Sequence, residues 1–167
     1  MEQLDTATLG GWLRAIWLMV SGVLRLQEET YHTAVAHPDG LRVALVVLFL
    51  AGLSVAAGQS VVLFANGVPR RRFLLTMIGS AVVSGISVIG WAVSAWLGAR
   101  LLFGLDESLR TFLILVCMGT APAIFGFFLL FPYLGVLLGW GLRIWIYVAV
   151  LVGIGTVLML DFWPSVL

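Results

Sequence analysis

Lysine is absent from this sequence. All nine basic residues are arginine, spread along the chain or set at the ends of apolar runs. Cysteine is almost absent too: Cys117 is the single one, so no disulfide can form within the chain, and its place inside an apolar run reads as a small buried hydrophobe. Charge of either sign is scarce, at 10% of residues, and a net charge of +1 offers a polyanion no field. Nucleic acid is therefore not among the expected partners. What fills the chain instead is apolar surface: 62% of residues are hydrophobic and the mean hydropathy is +1.12. That composition belongs to a polytopic membrane protein.

The stretch between Arg110 and Arg143 states this most strongly, because none of its 32 residues carries a charge. Only a bilayer hides so long an apolar run. Two prolines punctuate it. Pro122 lies inside the run and reads as a helix kink that leaves the Met118 carbonyl seeking another partner; Pro132 lies where a span begun near Arg110 ends, and reads as a turn.

Before the spans, residues 1–40 form an amphipathic and polar N-terminal region. Glu2 and Asp5 precede the first apolar stretch and Arg14 interrupts it, so no cleaved signal peptide is expected. Between Leu9 and Leu24 the apolar residues recur at helical spacing, with Trp12 and Trp17 on the apolar face and Arg14 and Arg25 off it. This pattern fits an interfacial helix, or one packed on the membrane bundle. Residues 27–40 are the most polar part of the chain and end in the turn signal Pro38-Asp39-Gly40. Glu28, Glu29 and His32 can share a helical face, but with one imidazole and no fixed third ligand they do not make a metal site. A solvated face is the expectation, and no cofactor is expected.

Four spans follow: 41–64, 73–97, 109–131 and 134–160, leaving 161–167 as a tail. The fold class is an all-α integral membrane protein, a four-helix transmembrane bundle preceded by the amphipathic helix. Asn66, Gly67 and Pro69 end the first span, and Arg70, Arg71 and Arg72 then mark a membrane face, as a topology anchor or a lipid head-group site. The second span carries Gly79, Ser80, Ala81, Ser84, Gly85, Ser87 and Gly90, a small-residue stripe suited to tight packing in the bundle centre. In the fourth, Gly135 and Gly139 form a GxxxG pair for packing. Arg143 there is either an anchor that snorkels to the interface or an intramembrane charge about 13 Å down the helix. Four crossings put both termini on one side. Four arginines on that side (Arg25, Arg42, Arg100, Arg110) against three on the other place it in the cytoplasm.

Several of these stretches carry a family resemblance. Glu29-Thr30-Tyr31 and Pro38-Asp39-Gly40-Leu41 lead into a Leu/Val-rich span, and Gly90-Trp91 is followed by Gly98-Ala99-Arg100-Leu101-Leu102-Phe103-Gly104. Leu109-Arg110 then runs to Gly119-Thr120-Ala121-Pro122, with Pro132-Tyr133-Leu134-Gly135 and Trp145 beyond. Over residues 26–152 the chain resembles the Yip1 family of small multispanning membrane proteins, in particular its short bacterial members. It departs from the pattern after Trp145, where Leu151 to Leu160 stays apolar. In eukaryotes the family is tied to ER and Golgi membrane traffic and to prenylated Rab GTPases. For a short bacterial member the resemblance implies the fold, a place in the bacterial cytoplasmic membrane, and little about activity.

The functional expectation is a non-enzymatic protein that organises or recruits lipids, other membrane proteins or copies of itself. An accessory subunit of a larger membrane complex is the alternative, and a small transporter or channel the one after it. Spans one to three hold no Asp, Glu, His or Lys to carry a proton or a cation. No base stands in any span to activate Ser80, Ser84 or Ser87, so no catalytic residue is assigned.

Overall fold

The computed structural model describes residues 8–59, 69–131 and 134–158, and these are almost wholly helical. The order is α1 (Leu9–Leu24), α2 (Glu28–Ala36), α3 (Gly40–Gln59), α4 (Arg70–Phe103), α5 (Leu109–Gly119), a 3-10 helix (Ala121–Leu130) and α6 (Leu134–Val157). Four segments are long and apolar enough to cross a membrane: Gly40–Gln59, Leu74–Phe103, Leu109–Leu130 and Leu134–Val157. The third is α5 continued by the 3-10 helix. The Asn66-Gly67 turn, the end of the first span, Pro132 and the C-terminal tail lie outside the described residues.

Local sequence sets the helix ends. Thr8 caps α1, its hydroxyl accepting from the Gly11 N–H at 3.0 Å, and Ser108 caps α5 by accepting from the Thr111 N–H at 3.1 Å. Gly104 closes α4 at φ 65°, a left-handed conformation that side chains resist. Trp96 then donates from its indole N–H to the Glu107 carbonyl at 3.0 Å, tying the α4–α5 loop back onto α4.

The third segment is the hub, 61% buried over its most apolar window, against 39% for α3, 17% for α6 and 6% for α4. In water such apolar outer helices would aggregate. In lipid they are the solvated surface. α3 lies along the 3-10 helix so closely that a Cβ at Gly58 would collide with the Gly126 carbonyl, and one at Gly126 would strike the Val55 backbone. α4 touches α3 where Ala81 meets Gly52, and touches α5 where buried Ala92 joins Val116 and Val150. Gly58 also faces Leu129, and Gly135 packs against the Leu129 carbonyl. The end of α3, the end of the 3-10 helix and the start of α6 therefore share one end of the bundle. α4, antiparallel to α3, begins at that same end.

Two sequence expectations shift here. The small-residue stripe of α4 does not fill the bundle centre: Ala81 and Ala92 are buried, while Gly79, Gly85, Gly90 and Gly98 have open space where a Cβ would stand. Small residues permit close approach but do not choose the neighbour, and it is α5 that takes the centre. The buried face of α1 is also turned from the one expected. Ala15, Met19, Val20 and Val23 are buried in the bundle, whereas Leu13 and Trp17 are exposed. The helix packs on protein along that face.

Candidate functional site

The residues singled out in the sequence fall at two places. Arg70, Arg71 and Arg72 open α4, with Arg71 and Arg72 exposed. Arg143 lies nine residues into α6 on its outer face, its guanidinium carbon 5.6 Å from the centre of the Trp140 ring. Cβ atoms of a helix lean towards its N-terminus, so the side chain points back to the start of α6, which is the end shared with Arg71 and Arg72. Among the described residues no carboxylate pairs with it, unlike Arg42, which meets Asp39 at 2.8 Å. α6 begins at Leu134, the start that puts Arg143 about 13 Å down the helix, and the lean of its side chain towards Trp140 brings the guanidinium back towards that end.

Pro122 is buried at the start of the 3-10 helix and does not kink a continuous α-helix. α5 stops at Gly119 and the chain winds on more tightly. The Thr120 N–H closes the end of α5 towards the Cys117 and Met118 carbonyls, and its hydroxyl donates to the Cys117 carbonyl at 2.6 Å. Ten residues is long for this conformation, which is usually confined to one turn. α3 holds it: the Ser54 hydroxyl donates to the Ile124 carbonyl and accepts from the Phe127 N–H at 3.0 Å. Those two backbone groups are an i, i+3 pair, the one a 3-10 turn would join directly. Gly135 and Gly139 both meet Leu129, at its carbonyl and side chain, so the GxxxG pair serves the 3-10/α6 corner.

The feature that sequence reasoning missed is Tyr31. It is wholly buried, donates its hydroxyl to the Ala149 carbonyl of α6 at 2.8 Å, and its ring fills the space beside Gly153. Burial pushes its phenol well above the ordinary range. A short, polar α2 gave no periodicity to flag one inward aromatic. Its other face behaves as read, with Glu28, Glu29 and His32 exposed. Arg110, the first charge before the long apolar run, closes the far end of α2. It donates to the carbonyls of Val35, His37 and Pro38 at 3.2, 2.9 and 3.1 Å.

The resulting surfaces have a charge order. Glu28, Glu29, Asp39, Asp106 and Glu107 all stand at the α2 end with Arg25, Arg42, Arg100 and Arg110. The opposite end carries arginine and no acid, since no Asp or Glu occurs from 43 to 99 or from 111 to 158. Comparison with protein-family models, curated proteins and solved structures gave no match to this chain.

Proposed function

We propose that this chain is a non-enzymatic, Yip1-like multispanning protein that organises or recruits lipids or protein partners within the bilayer. The observation that carries this reading is the outward turn of α4 and α6. Their spans are only 6% and 17% buried, Gly79, Gly85 and Gly90 of α4 have open space where a Cβ would stand, and Trp140, Trp145 and Tyr147 of α6 are exposed. Aromatic residues and arginine are the side chains that concentrate binding energy at interfaces. The centre, by contrast, is filled by Phe112, Ile114, Leu115 and Met118, and among the described residues no charged side chain is buried there. Arg143 on the outer face adds no interior charge for transport.

Purification in mild detergent, followed by mass spectrometry of the co-purifying chains and lipids, tests the reading. We expect specific lipids or a membrane protein to follow the chain at constant ratio through two chromatographic steps. A bare chain stable without either would end the proposal. A fixed set of several partner chains would favour the accessory-subunit reading, which the aromatic outer face of α6 also supports.

The same reading puts the protein in a bacterial cytoplasmic membrane with its termini in the cytoplasm. Single cysteines introduced near position 10 and near position 106, in a Cys117→Ser background, should then both resist a membrane-impermeant maleimide applied outside intact cells. Labelling of either from outside would reverse the orientation.

A further inference from the structure

We infer that Arg143 and Trp140 form a binding site for the phosphate of a membrane phospholipid, in the leaflet where α4 and α6 begin. The inference rests on the lipid-recruiting reading above and names its chemistry. A guanidinium on the outer face of a span cannot stay bare, because an unpaired charge in hydrocarbon costs several kcal/mol. A second copy of this chain cannot neutralise it, since its spans contain no acid and would set arginine against arginine. A phosphodiester supplies the missing charge, on two non-bridging oxygens that the planar arginine fork can meet with two parallel hydrogen bonds.

The neighbouring side chains argue for a lipid over a free anion. Val136, Trp140, Arg143, Tyr147 and Leu151 recur at intervals of three and four, so they line one strip of α6, and all five are exposed. Val136 and Trp140 lie between Arg143 and the start of α6, and Tyr147 and Leu151 continue the strip towards the middle of the bilayer. Tyr147 extends the strip sideways, with the Trp91 ring of α4 packed against it edge-on at 5.5 Å between ring centres. A head group at Arg143 would thus run its acyl chain past Tyr147 and Leu151. Trp140 lies against the guanidinium, whose carbon stands 5.6 Å from the ring centre, and Arg143 is exposed. With arginine and no carboxylate at this end of the bundle, the site favours anionic phospholipids over zwitterionic ones.

The test titrates phosphatidylglycerol or phosphatidylcholine into the delipidated, detergent-solubilised full chain and counts bound lipid by native mass spectrometry, with inorganic phosphate as a competing arm. Wild type should bind phosphatidylglycerol, and Arg143→Gln should bind it roughly tenfold more weakly, the scale of a lost charge-assisted pair. Arg143→Lys should fall between them, and Trp140→Leu should weaken binding less than Arg143→Gln. Wild-type affinity in a helical, cooperatively melting Arg143→Gln would overturn the inference, as would inorganic phosphate displacing the lipid at equal concentration. Lipid retained by Arg143→Gln but lost on Arg71→Gln/Arg72→Gln would move the site to α4 and leave the lipid-recruiting reading intact. No lipid on any variant, and no protein partner, would end both.

Discussion

Tyr31 shows how one side chain can decide where a segment goes. Without it α2 is a polar nine-residue helix that would lie in water; with it, α2 is pinned to the last span by a ring and a hydrogen bond. Tyr31→Phe removes only the hydroxyl and should lower stability by about 1 kcal/mol, whereas Tyr31→Ala also opens a cavity and should lose about 3 to 5 kcal/mol. Thermal melting in detergent separates the two. The phenol also gives a signed pH effect. Its folded-state pKa is raised by burial, so the neutral form is the folded one. Its contribution is fully present below the unfolded value of about 10 and declines as pH rises above it. The wild-type melting temperature should fall more steeply above that pH than that of Tyr31→Phe; parallel curves would mean the phenol is not sequestered.

Among the elements, the spans were legible because long uncharged runs admit few other readings: α6 falls within the limits read from composition, and α3 begins one residue before them, at Gly40. Pro122 was legible as an interruption. What followed was not, because a proline tells only that an N–H is missing and says nothing of how the next ten residues wind. The 3-10 helix depends on a partner 70 residues away, Ser54, which no local pattern reveals. Packing rank was also hidden: α4 and α5 are both apolar, yet one is a lipid-facing flank and the other the hub. Arg143, by contrast, was found as a charge in a greasy run, and only its direction needed the structure. Ser54→Ala should cost about 1 to 3 kcal/mol by stranding the Ile124 carbonyl and the Phe127 N–H. Hydrogen exchange at Phe127 should speed up in parallel. If stability and exchange stay at wild-type values, the two backbone groups have joined directly and the serine is dispensable.

At the scale of the whole molecule, the length of α4 is the constraint. α4 has 34 residues, about 50 Å of helix at roughly 1.5 Å per residue, and its uncharged part from 73 to 99 alone measures about 40 Å. Hydrocarbon is about 30 Å thick, so α4 is longer than the layer it crosses. A lone flank helix can lean to fit, but this one is held to α3 at Ala81 and to α5 at Ala92, which limits its tilt. The remainder falls on the surrounding lipid, which must stretch along one side of the protein. Reconstituted in phosphatidylcholines of increasing acyl length, the chain should melt at higher temperature in the thicker bilayers, and a flat series would mean that α4 leans freely. In a membrane of uneven composition, such a lopsided collar would gather longer-chained lipids on the α4 flank and steer the protein towards the thicker patches.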